Sequence, residues 1–326
     1  MISVVVCTYN RSQTLDRMLA SYFEQEGISD AEHEVIVVDN NSSDDTRGIA
    51  LKYASRRGFK YVYEPKQGLS AARNRGIKEA RGAVIAFLDD DVLVDGRWLQ
   101  SLRQCYRDTS AAVVGGKAVL LLEAEQPPWF GPFFRELLSE VDLGTARCEV
   151  PDGLGLYGVN LSFDAAALKA AGGFNTHLGR RGAQLMGGEE TTLVARLAAE
   201  SARIIYEPGA AVKHIVGEER LTWDYFVSLA RGYASTKQAR EPDRGLLWQI
   251  LRVARSLLSV LSWQCQLAAA YALRSDSYRL SCMRWETRSE IAYMTLRLQW
   301  LWTQLTALFQ RRPKNRFLMR SRDLNP

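Results

Sequence analysis

Three consecutive carboxylates, Asp89-Asp90-Asp91, close the apolar run Ala83-Val84-Ile85-Ala86-Phe87-Leu88. In an extended chain Asp89 and Asp91 point to one face and Asp90 to the other. Crowded carboxylates repel, and desolvating them is unfavourable unless a cation or hydrogen-bond donors compensate. A hard divalent cation carrying a diphosphate would compensate both effects. The same acids could instead form a solvated turn. Two other apolar runs also end in polar groups, Thr8-Tyr9-Asn10-Arg11 and Asp39-Asn40. A carboxylate closing a second strand suits ribose hydroxyls or a base N–H. Further along lie the adjacent acids Glu189 and Glu190 and a late histidine, His214.

The elements that would hold these groups alternate between strand and helix. Strands are predicted over 2–8, 34–39, 59–63 and 83–88, each a short apolar run. Ser12 is placed to cap a helix with the stripe Leu15, Met18, Leu19, Tyr22 and Phe23. Ser42 and Asp45 have capping-box spacing for a second helix, and 68–80 reads as a third. Such alternation implies right-handed crossovers and an α/β fold with a mostly parallel sheet flanked by helices. Open sheets of this kind bind ligands at the carboxyl ends of their strands. Beyond the triple acid, a helix is expected over 96–108 and a strand over 111–122. Residues 123–152 read as a loop with exposed aromatics, either a lid or a packed insertion, because Pro127-Pro128-Trp129-Phe130-Gly131-Pro132 breaks any periodicity. Residues 153–163 look extended, 189–200 helical, and two short strands are expected at 203–207 and before His214.

With 326 residues, 47% of them hydrophobic, the chain can bury a large core. Its five cysteines are odd in number and scattered with no CxxC spacing, which suggests neither a disulfide framework nor a zinc knuckle and fits a reducing compartment. Met1-Ile2-Ser3-Val4-Val5-Val6 reads as a first strand, not a leader. The net charge of +5 hides a split, since 14 Lys/Arg face only 4 Asp/Glu from Arg244 onward. Five of the eight tryptophans, Trp248, Trp263, Trp285, Trp300 and Trp302, also lie there. Residues 1–240 are therefore expected to form the chemical unit and 241–326 a basic, Trp-rich helical appendage, with helices over 246–274 and 277–311. Ser256 to Leu273 is uncharged over a length at the lower limit for a membrane span, but it contains Ser and Gln. Arg, Trp and Leu on amphipathic helices suit an anionic membrane surface, at the inner face of the cell membrane. The alternative is a hairpin covering the catalytic unit or forming a homodimer. No nucleic-acid partner is expected.

As an ordered set, the motifs resemble the family-two inverting glycosyltransferases of the GT-A fold. The resemblance is carried by Val4–Arg11, Val37–Asp44, Gly68-Leu69-Ser70-Ala71-Ala72-Arg73-Asn74-Arg75-Gly76, Phe87–Asp91, Gly158–Ser162, Gly172-Gly173-Phe174 and Gly188–Leu197. It covers about residues 1–240. It implies a nucleoside-diphosphate sugar donor, with UDP-sugars favoured. Thr8, Asn10, Arg11 and Asp39 would hold the nucleotide, Asp89 and Asp90 the ribose, and Arg73 the diphosphate. Asp91, with Asp89 and His214, would bind Mg²⁺ or Mn²⁺. For Arg73 the other reading is an ion pair on a helix face, and for His214 a simple hydrogen bond. Glu190 stands at the general-base position beside Glu189. The family usually has Glu-Asp there, so this carboxylate is one methylene longer; both acids could also simply occupy a helix's first turn. Arg284-Trp285 matches part of the processive Gln-x-x-Arg-Trp signature, but Ser281 replaces its glutamine and the pair lies beyond its usual place. Transfer of one sugar per encounter to a lipid-linked or surface-polysaccharide glycan is therefore expected. Two rival readings are a sugar-phosphate nucleotidyltransferase, which wants a glycine-rich loop that Thr8-Tyr9-Asn10-Arg11 lacks, and a catalytically inactive assembly module.

Overall fold

The computed structural model describes residues 1–151, 155–241, 245–273 and 275–310. In chain order the elements are β1 (Ile2–Thr8), α1 (Ser12–Tyr22), β2 (His33–Asp39), α2 (Thr46–Leu51), β3 (Phe59–Tyr63), α3 (Leu69–Glu79), β4 (Val84–Asp89), β5 (Val92–Val94), α4 (Trp98–Thr109) and β6 (Val113–Leu122). They continue with α5 (Pro132–Leu137), β7 (Cys148–Glu149), β8 (Asn160–Asp164), α6 (Ala165–Ala170), α7 (Glu189–Ala199), β9 (Ile204–Val216), α8 (Trp223–Arg240), α9 (Leu246–Ala272) and α10 (Ser277–Gln310).

The sheet runs β3-β2-β1-β4-β8-β6-β9-β5, with β7 on β9. Its first four strands are parallel, as the crossovers require. The second half departs from the expected mostly parallel pattern, because β8 enters antiparallel between β4 and β6. The strands β1, β2 and β4 are apolar on both faces because helices cover both sides. Thr8, Asp39 and Asp89 end in register at the carboxyl edge of neighbouring strands: Thr8 pairs Asp39, and Cys7 pairs Asp89.

Several local expectations need correcting. Ser12 does not cap α1; it is the first helical residue, and its N–H donates to Asp44 at 3.1 Å. Asp44, not Ser42, serves the start of α2 by accepting from Thr46 N–H at 3.1 Å. The two short strands near His214 are one strand, β9, whose register against β6 shifts between Gly116 and Ala118. The aromatics of 123–152 are not exposed: Phe130 and Phe134 are buried with Phe226 and Trp285, while Trp129 and Phe133 pack against that cluster. Apolar area outweighs the helix-breaking prolines there, and the insertion is packed rather than open.

The two C-terminal helices match the expected lengths and fold back as a hairpin. Its second helix packs along α8, and Trp285 donates its indole N–H to the carbonyl of Phe226 at 3.1 Å. At the hairpin's root Glu241 pairs with Arg252 at 2.5 Å and also with Arg297 and Tyr293, and Arg297 further donates to Gln249 at 2.6 Å. The covering hairpin anticipated as an alternative is thus the observed arrangement. Pro242, Asp243 and the basic stretch 311–326 lie outside the described residues. No described helix is long and apolar enough to cross a membrane, including the one that holds Ser256–Leu273. Trp285 is 4% exposed. Trp285→Ala should therefore cost roughly 3–5 kcal/mol in the unit formed by α5, α8 and the hairpin, read as a lower melting temperature with early proteolysis between α8 and α9.

Candidate active site

The strand ends open onto a cleft of about 780 Å³. Thr8 and Arg11 line it from the end of β1, Arg73 from α3, Asp89, Asp90 and Asp91 from the end of β4, and Glu189 and Glu190 from the start of α7. The shelf of acids and the distant Glu pair therefore share one cavity. Asp39, Asn10 and His214 do not line it. Asp39 accepts from Ser42 N–H at 2.9 Å and from the Tyr61 hydroxyl at 2.7 Å, so it braces the turn after β2. Its neighbour Asn40 reaches the cleft instead. Asn10 accepts from Ser43 N–H at 2.7 Å and faces a second cavity on the far side of Arg11 and Asp91.

Arg73 is buried and bridges the two halves of the site. It donates to Glu189 at 2.6 Å and approaches Asp89 at 3.4 Å, with its guanidinium 5.4 Å from the centre of the Phe174 ring. Gly158 makes room for it: a Cβ there would stand 2.1 Å from Arg73 Nη2. Arg73 is thus an ion pair, as the alternative reading held, but inside the cleft rather than on an exposed helix face. Gly188 precedes α7 with φ +88, a conformation that favours glycine, and so sets where the two glutamates enter the cleft. Both stand in the first turn, where the helix dipole favours acids.

The Glu pair is split by its surroundings. Glu189 has Arg73 as a partner. Glu190 has a buried Oε2 with no hydrogen-bond partner among the described residues. Burial and the neighbouring Glu189 raise its pKa to about 8, against the pull of Arg73. A carboxyl that titrates near neutrality, held in a cleft, suits proton transfer.

The triple acid is split as well. Arg11 contacts Asp90 at 3.5 Å and pairs closely with Asp91. Arg220 donates to Asp91 Oδ2 at 3.0 Å. Burial would raise Asp91, but His214, Arg11 and Arg220 hold it well below the usual carboxylate range. Burial pushes Asp90 up to about 7, against the pull of Arg11. His214, opposite Val92 across the β5–β9 pair, donates Nδ1–H to the Leu138 carbonyl at 2.9 Å. That leaves Nε2 facing Asp91 Oδ1 at 3.3 Å. Among the described residues no three His, Cys, Asp or Glu side chains converge in a metal-holding arrangement. Asp91 and His214 are a two-residue set whose buried Oδ1 lacks a hydrogen-bond partner. Arg220 Nη1 reaches both Asp91 Oδ2 at 3.0 Å and His214 Nε2 at 3.1 Å, so the set would suit a hard cation, completed by substrate phosphates and water, once that guanidinium gave way.

Sequence reasoning missed several cleft residues. Arg180 lies in Gly179-Arg180-Arg181-Gly182, where a basic pair between glycines was a usable signal. Tyr157 and Tyr233 flank the Glu pair without any motif to mark them. Trp285, Glu286, Ser289 and Glu290 of α10 wall the cleft as well, although that helix had been assigned to an appendage.

The family model described as Glycosyl transferase family 2 matches residues 3–133. The chain is 29% identical over 254 residues to a glucosyl-dolichyl phosphate glucuronosyltransferase of Haloferax volcanii, covering 72% of this chain and 75% of that protein. It is 30% identical over 204 residues to a validoxylamine A glucosyltransferase of Streptomyces hygroscopicus subsp. jinggangensis, covering 54% of this chain but only 47% of that one. In fold it is similar to residues 1–349 of TarS from S. aureus, with a TM-score of 0.52 at 17% identity over 93% of this chain and 92% of that one. Over residues 3–133 the chain matches the family 2 glycosyltransferases, and its sheet has the fold of residues 1–349 of TarS.

Proposed function

We propose that the protein moves a single sugar, with inversion, from a nucleoside-diphosphate sugar, preferably a UDP-sugar, to a hydroxyl on a lipid-linked or surface-polysaccharide glycan. The observation that carries this reading is Glu190, a half-buried carboxyl whose Oε2 has no partner among the described residues, facing the same cleft as Asp89–Asp91. Thr8, Asn40 and Asp89 lie where a nucleotide would sit, at the carboxyl edge of the parallel strands. Asp91 and His214, with Asp89 nearby, are the residues that would hold Mg²⁺ or Mn²⁺. When bound, such an ion would neutralise charge on the diphosphate. Glu190 takes the proton from the attacking hydroxyl, and Arg73 keeps Glu189 paired so that Glu190 alone is free for that proton. The Haloferax relative, named for a glucosyl-dolichyl phosphate, supports a lipid-linked acceptor.

An anionic membrane surface fits the outer side of the hairpin. Leu247, Leu251, Leu258 and Leu273 of the hairpin's first arm are 72%, 60%, 68% and 78% exposed, and Arg255 is exposed among them. Leucines with arginine on one exposed helix suit the membrane interface.

Three outcomes test this reading. Glu190→Gln should lower kcat by roughly 10²–10⁴-fold while leaving donor affinity near the wild-type value. Glu190 must be ionised to accept a proton, so wild-type transfer should rise as pH passes through about 8. The same raised pKa means that the folded state binds this proton more tightly than the unfolded state does. Stability should therefore fall as pH climbs from the ordinary glutamate range towards 8, and Glu190→Gln should melt higher than wild type above that pH. Second, EDTA should stop transfer and Mn²⁺ should restore it; Asp91→Asn, checked for folding by its melting curve, should not respond to the added ion. Third, the full chain should float with phosphatidylglycerol vesicles at low salt, and Leu251→Glu with Leu258→Glu should abolish flotation without altering the melting temperature.

A further inference from the structure

Four arginines reach the acidic shelf, and three of them have partners. Arg11 holds Asp90 and Asp91, Arg73 holds Glu189 and Asp89, and Arg220 holds Asp91 and contacts His214. The fourth, Arg180, lines the same cleft, half-buried. Its side chain makes no ion pair or hydrogen bond with any described residue. The groups that act on its charge are Tyr225, Asp89, Arg11 and Asp91. Tyr225 is itself unusual. Its hydroxyl is buried, and among the described residues no group bonds it in good geometry, although the Arg220 guanidinium lies 5.6 Å from its ring centre. Arg220, Arg180 and Arg11 all surround that hydroxyl electrostatically.

A guanidinium has five donors and no acceptor, and a buried hydroxyl normally finds a partner. Arg180 and the Tyr225 hydroxyl act on each other's charge, and neither has a side-chain hydrogen bond among the described residues, so both have donors left for an added acceptor. No carboxylate oxygen of the described residues lies within ion-pair reach of Arg180: Arg11 and Arg220 take Asp91 Oδ2, and Asp89 Oδ1 faces Arg73. The guanidinium fork matches two oxygens of one phosphate. The local charge balance also favours an incoming anion, since Arg73, the residue expected to meet the diphosphate, is committed to Glu189.

We infer that Arg180, with the Tyr225 hydroxyl, is the chain's own clasp for the diphosphate of the donor. The inference rests on the nucleotide-sugar reading above and assigns the leaving-group contact that Arg73 does not make. In the transfer, the acceptor oxygen gives its proton to Glu190 and forms the new bond to the anomeric carbon. The bond from that carbon to the diphosphate oxygen breaks, and its electron pair stays on that oxygen. Arg180 faces the negative charge that appears there, where a preorganised cation stabilises departure.

Inorganic pyrophosphate in EDTA and UDP with Mn²⁺ are the probes, read by calorimetry on the full chain. Arg180→Ala should weaken both by roughly tenfold to a hundredfold, Arg180→Lys should recover part of the loss, and Tyr225→Phe should weaken both by a few-fold. The ligand-free melting temperature of Arg180→Ala should match wild type. If Arg180→Ala binds both probes as tightly as wild type, or if wild type does not bind pyrophosphate in EDTA, the clasp is disproved. Wild type that binds pyrophosphate but no nucleoside diphosphate, with or without Mn²⁺, would leave the clasp standing and sink the nucleotide-sugar reading instead.

Discussion

The site is assembled around one buried cation. Arg73 sits on a helix between two strands of the parallel half-sheet, yet its guanidinium ends between Asp89 and Glu189, residues far apart in sequence. Breaking such a pair leaves an uncompensated charge in a place that water does not reach, which is strongly unfavourable. The contact therefore couples the end of β4 to the first turn of α7, and the rest of the cleft takes its shape from that coupling. Gly158 and Phe174 follow from the same need, one making space for the guanidinium and the other giving its face a ring to lie on.

Like charges in close quarters are separated by partner choice. Glu189 and Glu190 are adjacent in sequence, but only Glu189 takes the arginine, and the unpaired member keeps its proton up to about 8. Asp90 and Asp91 divide the same way: Asp91 collects His214 and two guanidiniums and stays ionised, while Asp90 is pushed up to about 7. A site built from five acids thus avoids five simultaneous charges, and the groups kept near neutrality are those that can exchange protons.

Much of this was legible in the residues. The apolar runs marked β1–β4 because both faces of those strands are covered, so periodicity and burial agree. The strand-end polar groups and the Glu pair were found because they are contiguous in sequence. The misreadings came where tertiary packing decides. Asp39 reads as a nucleotide ligand; the structure also gives it Tyr61 and the backbone of Ser42 as partners, and neither contact leaves a trace in local pattern. The prolines of 127–132 suggested an open loop, but a dense aromatic cluster with α8 and α10 holds that segment in place. Arg220 carried no motif and Arg180 only a basic pair between glycines; their importance depends on which carboxylates other arginines had already taken.

The wall that α10 lends to the cleft has a consequence for how the protein is made. Trp285, Glu286, Ser289 and Glu290 leave the ribosome long after the α/β unit, so during synthesis the acids face an open flank. A nascent chain could hold a sugar donor there only with bulk solvent beside it, and donor wasted to hydrolysis would be the result. The fully walled cleft exists only after the hairpin has emerged and swung back, so productive chemistry waits for the synthesis of α10.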